Sequence, residues 1–151
     1  MADDREGPGL NDGPPKADVL HRSIAKFVDL LIVAALAKLL PPVGFFGGLT
    51  YLLISDGLWP GQSAGKRLIG VRAVRTSDGR AVSFRESILR NAPLAAGVFA
   101  TAIPYLGVLL LLAILAFETL LVIGNEKGLR IGDELAATQV IDLQAARESV
   151  G

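Results

Sequence analysis

The sequence predicts an all-α integral membrane protein: four transmembrane helices arranged as two helical hairpins that read as a parallel repeat, with a short cytoplasmic loop of weak β character. Three observations point there. Four apolar runs alternate with polar segments. Lysine and arginine crowd into every other connection between those runs. And 51% of the 151 residues are apolar while 20% are charged, against about 25% charge in a typical soluble domain.

Composition also excludes several classes. Lysine plus arginine total 15 and aspartate plus glutamate total 15, so the basic excess that a nucleic-acid partner requires is missing. Zero cysteines rule out disulfide scaffolds, thiolate zinc sites and iron–sulfur clusters. One histidine disfavours a histidine metal centre and a Ser-His-Asp hydrolase. No enzyme, cofactor or metal is expected, and the first partner is the lipid bilayer.

Residues 1–18 are rich in glycine, proline and aspartate. Such a stretch buries too little surface to offset its ordering entropy, and reads as a disordered cytoplasmic tail. It lacks the basic-then-apolar pattern of a cleaved signal. Residues 19–142 form the membrane domain and 143–151 a short C-terminal tail.

Within that domain a spanning helix needs about 20 residues, with a range of about 17–25. The first run, 24–40, reaches that length if its helix starts at Arg22 to Lys26. Pro41-Pro42 ends it, because proline lacks a donor and restricts the residue before it. The second run, 43–58, is short and closes at Trp59-Pro60-Gly61. The third, 92–103, spans only if its helix starts back at 83–86. The fourth, 105–123, spans unaided. Its only polar side chains are Glu118 and Thr119, too few for the wet face of a soluble helix.

The connectors 41–48 and 101–107 hold no lysine or arginine. The segment 61–90 holds Lys66, Arg67, Arg72, Arg75, Arg80, Arg85 and Arg90, and both outer flanks are basic. The positive-inside rule then puts both termini and the middle segment in the cytoplasm, which four spans satisfy. Lys38, at the outer end of the first helix, snorkels to the headgroups. The halves also match at an offset of 63–64 residues: Ser23-Ile24 and Lys26 with Ser87-Ile88 and Arg90, Pro41 with Pro104, Gly65 and Arg67 with Gly128 and Arg130. Both copies start on one side, so the repeat is parallel.

At about 100° per residue, Arg22, Lys26 and Asp29 share one face of the first helix. An ionisable residue in a membrane helix is a functional-site hypothesis by default. Asp29 reads either as a proton- or cation-binding carboxylate or as an ion pair that fixes the helix, and its place near the cytoplasmic end favours the ion pair. Glu118, near the inner end of the fourth helix, either completes a two-carboxylate cation site with Asp29, snorkels inward, or accepts a proton and stays neutral. Asp56 reads as solvated, and His21 as a solvated residue without a partner.

Gly61-Gln62-Ser63-Ala64-Gly65-Lys66 superficially suggests a phosphate loop. The spacing is wrong, however, and Arg67 stands where Ser or Thr belongs. It reads instead as a glycine-rich turn at the membrane surface, Gly61, Gly65, Lys66, Arg67 and Gly70 included, able to hold anionic headgroups. Residues 68–74 alternate like a strand, with 81–84, after a turn at 77–79, or 136–141 as its partner. Asp133 reads as a helix cap or as the partner of an arginine from the middle segment.

Arg22-(two)-Ala25-(three)-Asp29, the run Gly61 to Gly70, and Gly132-Asp133-(two)-Ala136 together resemble the RDD family over roughly residues 20–142. The resemblance makes Arg22, Asp29 and Asp133 the counterparts of the arginine and two aspartates that name it. One departure is Gly132, where family members often carry histidine; it argues against a proton relay there. The resemblance implies a bacterial inner-membrane protein with a transport role, since some members are reported as sodium/proton antiporters. Two functions follow as expectations. The first is exchange of monovalent cations for protons by a homo-oligomer, four helices alone leaving little room for a shielded path. The second is a non-catalytic membrane subunit that holds other membrane proteins through small-residue faces such as Gly44, Gly47, Gly48 and Ala92, Ala95, Ala96, Gly97 and Ala100.

Overall fold

Proline, serine and glycine set the element ends in a computed structural model that describes residues 15–124 and 129–148. Helix α1 (Val19–Leu39) ends before Pro41-Pro42, and α2 (Val43–Leu58) runs from there to Trp59. Helix α4 (Phe84–Ala100) starts at Ser83, whose N–H donates to the Glu86 carboxylate at 2.8 Å, a capping box that satisfies an otherwise orphaned donor. A break at 101–105 leads into α5 (Leu106–Gly124).

The segment expected to be a glycine-rich turn is mostly helical. Ser63 caps α3 (Ala64–Ile69) by accepting from the Lys66 N–H, and Gly70, with φ at 83°, closes it. Strand β1 (Val71–Arg75) follows. Its partner is β2 (Thr138–Asp142), antiparallel, with Ala73 opposite Val140. The local alternative, 81–84, contributes a single bridge between Val74 and Ala81, because the capping box commits the chain to α4 from Phe84 onward. Between α5 and β2 lies α6 (Ile131–Leu135), and α7 (Leu143–Glu148) occupies most of the stretch read as a C-terminal tail. Of the stretch read as an N-terminal tail, residues 1–14 lie outside the described residues. Pro15 to Ala17 are ordered along β2 through Ala17 N–H to Val140 O at 3.0 Å and Asp142 N–H to Pro15 O at 3.1 Å.

The same order of elements therefore occurs twice: α1-α2-α3-β1, then α4-α5-α6-β2. Close contacts repeat with it. Gly44 abuts the Leu36 carbonyl in the first hairpin, as Gly107 abuts that of Ala100 in the second. Gly65 of α3 rests on the Ala25 backbone of α1, and Gly132 of α6 on the Arg90 backbone of α4, so tightly that a Cβ at either would overlap a carbonyl oxygen. The structural counterpart of Gly65 is thus Gly132. The sequence match with Gly128 was a near miss, and Gly128 itself lies outside the described residues.

Helix α1 packs on α2, α2 on α4 and α4 on α5. Val33, Leu52, Leu94, Ala95 and Val98 form the core among them, and Ala17, Ala25, Val71 and Val140 form a second one under the sheet. Outward faces of α1, α2 and α5 are apolar: Phe27, Leu31, Phe46, Leu109, Leu112 and Leu120 are all exposed. By length and composition one described helix, α5, is apolar enough to cross a membrane. Helix α1 carries Arg22, Lys26, Asp29 and Lys38, and α2, at 16 residues, is short.

Candidate functional site

Polar groups gather where α3 and α6 fold under the helix bundle. Helix α3 is held there by Asp29, which is 0% exposed. Its carboxylate accepts from the Ser63 hydroxyl at 2.6 Å, the Tyr51 hydroxyl at 2.9 Å and the Gly65 N–H at 3.0 Å. Among the described residues no cation pairs with it. Asp29 is an anchor for the first turn of α3, and only glycine at position 65 lets that turn come close enough.

The anchored α3 aims Lys66 inward and Arg67 outward, where the Arg67 guanidinium sits 5.6 Å from the Trp59 ring centroid. Lys66, 4% exposed, meets Asp56 at 2.5 Å. Asp56 also faces Arg90 at 3.4 Å and Asn91 at 3.4 Å. Asp56 was expected to be solvated near the end of α2. It is instead 0% exposed, because α3 folds back across it.

Helix α6 does the same for the second half. Asp133, 0% exposed, joins three guanidiniums: Arg22 at 2.6 Å, Arg90 at 2.7 Å and Arg130 at 3.5 Å. It also accepts from the Arg130 N–H at 3.3 Å, so it caps α6 and pairs with a middle-segment arginine at once. Arg130 reaches on to Glu118 at 3.4 Å. Lys26 donates to the Asn91 amide oxygen at 2.9 Å.

Charge and burial compete at the groups outside the long helices. Burial pushes the Lys66 ammonium down to about 7, and Arg90, Lys26 and Arg130 add to that against the pull of Asp56. Burial alone would raise the Asp133 carboxyl, but Arg90, Arg130 and Arg22 hold it well below the usual carboxylate range. Burial would lower the Arg130 guanidinium, yet Asp133 and Glu118 keep it firmly charged.

Beside this network a cleft opens between α1 and α5, which do not pack along their length. It has a volume of about 200 Å³ and is lined by Arg22, Lys26, Lys66, Glu118 and Arg130 with apolar residues of α1 and α5.

Residues 40–137, from the end of α1 through the start of α6 to the turn before β2, match the model of the RDD family. The chain belongs to the RDD family. Proteins of this family are membrane proteins, and α5 has the length and hydropathy that a span requires. No curated protein and no solved structure matches the chain.

In this RDD domain, Arg22 and Asp133 are bound to each other, while Asp29, on α1, lies apart from them and holds the first turn of α3. Asp29 and Glu118, candidates for a shared cation site, have different partners: neutral donors for the first, Arg130 for the second. His21 does have one, Asp142, at 3.6 Å. Sequence reasoning placed neither Arg90 nor Asp56 in the site. Arg90 read as one more base of the loop, although its i, i+3 spacing from Ser87 and offset match with Lys26 placed it on a helix face. The small residues of α2 and α4 are largely used internally: Gly44 against Leu36, Gly48 against Val33 and Gly97 against Leu111 and Ile114.

Proposed function

We propose that this RDD protein crosses the inner membrane four times, as two parallel hairpins, with both termini and the segment 61–90 in the cytoplasm. Helical rise makes α1 about 31 Å and α5 about 29 Å long, close to the about 30 Å hydrocarbon core. Helices α2 and α4, about 24 and 26 Å long, span with local thinning or snorkelling of flanking groups. The basic residues of 61–90, against none at 41–48 and 101–107, favour this orientation.

Its function in this reading is exchange of a monovalent cation for a proton, without enzymatic chemistry, and the observation that carries it is the buried Lys66–Asp56 pair, whose lysine lines the cleft with Asp56 behind it. The buried network sums Arg22, Lys26, Lys66, Arg90 and Arg130 against Asp29, Asp56, Glu118 and Asp133. It holds one surplus positive charge. When Lys66 releases its proton, Asp56 loses its nearest counter-charge, and a monovalent cation at Asp56 restores the same sum. Proton and cation then exclude each other, which is the condition for one-for-one exchange. A lysine near neutrality suits that role. Two or more copies would shield the path, since α1 and α5 leave its side open.

Proteoliposomes with an imposed pH gradient, challenged with sodium, potassium or lithium, test this. Cation-dependent dissipation is expected, and Lys66→Gln, equally well folded, should abolish it. No flux from folded protein, or full flux in Lys66→Gln, would sink the exchange reading and leave the non-catalytic subunit.

A further inference from the structure

The cleft between α1 and α5 is graded in polarity along its depth. Going down α1, Arg22, Lys26 and Leu30 line it in turn, each about 6 Å below the last by helical rise. Arg130 stands at the basic end and Leu115 at the apolar end, and one side is open towards the surrounding lipid. In the orientation proposed above, the basic end lies at the level of the cytoplasmic headgroups and the apolar end at the level of the acyl chains.

Two groups in the wall lack what they need. Lys26 donates to the neutral Asn91 oxygen and forms no ion pair among the described residues, and it lines the cleft. Glu118 is 5% exposed. One of its oxygens meets Arg130, while Oε1 is buried without a hydrogen-bond partner. A buried acceptor left unpaired is costly. An occupant that answers both carries a negative charge beside a hydrogen-bond donor, with an apolar continuation.

We infer that the cleft holds an anionic phospholipid of the inner leaflet, its phosphate against Lys26 and Arg22, a headgroup hydroxyl donating to Glu118, and the start of an acyl chain between Leu30 and Leu115. The cavity's about 200 Å³ takes the headgroup and a few methylenes, and the rest of the lipid stays in the bilayer through the open side. This rests on the orientation proposed above and is independent of ion exchange.

The test is native mass spectrometry of the full-length protein from bilayer nanodiscs of equal phosphatidylglycerol and phosphatidylcholine. Phosphatidylglycerol should be enriched among retained lipids by about tenfold or more, the order expected for two basic side chains facing one phosphate. Lys26→Gln, which removes the charge and retains an N–H donor, should erase the preference. Leu115→Trp, which fills the apolar end without touching a charge, should lower retention and decides the matter alone if Lys26→Gln does not fold. Equal retention of both lipids, or an enrichment untouched by the substitutions, overturns the proposal. Displacement of phosphatidylglycerol by millimolar inorganic phosphate also overturns it, in favour of a soluble anion. Because no flux is measured, the result stands whatever the exchange assay gives.

Discussion

Replacing Asp133 by asparagine should strongly destabilise this protein although the side chain barely changes in shape. The side chain keeps its size and loses its charge, so Arg22, Arg90 and Arg130 keep their positions but lose the group they converge on at 2.6, 2.7 and 3.5 Å. The surplus of the buried network rises from one positive charge to two. Arg22 and Arg130 line the cleft and can recruit water there. Arg90, 1% exposed, cannot, and falls back on Asp56 at 3.4 Å. Removing one partner of a buried pair typically costs about 3–5 kcal/mol, and we expect Asp133→Asn to fall in that range. That moves the folding equilibrium by roughly two to three and a half powers of ten, a large part of the about 5–15 kcal/mol that holds a typical domain together. Purified protein in mild detergent, titrated with dodecyl sulfate and followed through Trp59, would report the loss. The Arg22→Met/Asp133→Asn double variant should be less destabilised than the sum of the two single changes, because it removes one of the stranded charges. A cost below about 1 kcal/mol, the value for a solvated pair, would refute the reasoning and mean that water reaches Asp133.

Three further outcomes follow. Gly132→Ala should cost about 3 kcal/mol, the upper end for overpacking, because its Cβ overlaps the Arg90 backbone carbonyl, whereas Gly47→Ala, with open space around it, should be neutral in the same titration. Asp29→Asn turns an amide N–H towards groups that themselves donate and should destabilise by about 1–3 kcal/mol; equal folded yield with lost flux would instead make Asp29 part of the transport path. Lys66 has a folded pKa of about 7 against 10.5 for the free side chain. The folded state therefore binds fewer protons than the unfolded state between those values, and the lysine's contribution to stability should rise from pH 7 towards 10.5 and be flat below 7. Melting curves of the wild type and Lys66→Met should diverge over that window; parallel curves would place Lys66 in contact with water.

Local signals in the sequence carried the long elements. Prolines bracket α2 at the predicted 43–58, and the length a span needs put the start of α4 at 83–86, ahead of its apolar run, where the structure has the Ser83–Glu86 capping box. Helix α3 was illegible because Gly61, Gly65 and Gly70 within ten residues argue for a turn; what makes it helical is Asp29, 36 residues before Gly65, accepting the Gly65 N–H and the hydroxyl of the cap Ser63. Strand β1 was legible by alternation, but its partner was ambiguous, since pairing with β2 is a long-range event that local turn chemistry does not encode. Position along a helix misled at Asp56. Nearness to a helix end suggested water, and only the fold-back of α3 buries it. Arg22, Asp29 and Asp133 stood out as ionisable groups, yet which acid met which base depended on α6 lying across α4.

The pairing of Asp133 with Arg90 also sets an order of events during synthesis. Arg90 leaves the ribosome 43 residues ahead of Asp133, which at about 5–20 residues per second is a wait of roughly 2–9 seconds. For that interval α1 and α4 hold guanidiniums without their acid, and β1 and Pro15 to Ala17 have no strand to lie against. The nascent bundle is therefore open until the segment 133–142 arrives, which then ties the amino-terminal helix, the middle segment and the last helix together. A chain stopped before Asp133 would present charged helices and a bare strand edge to the cell's membrane proteases, and one carried to Asp142 would not.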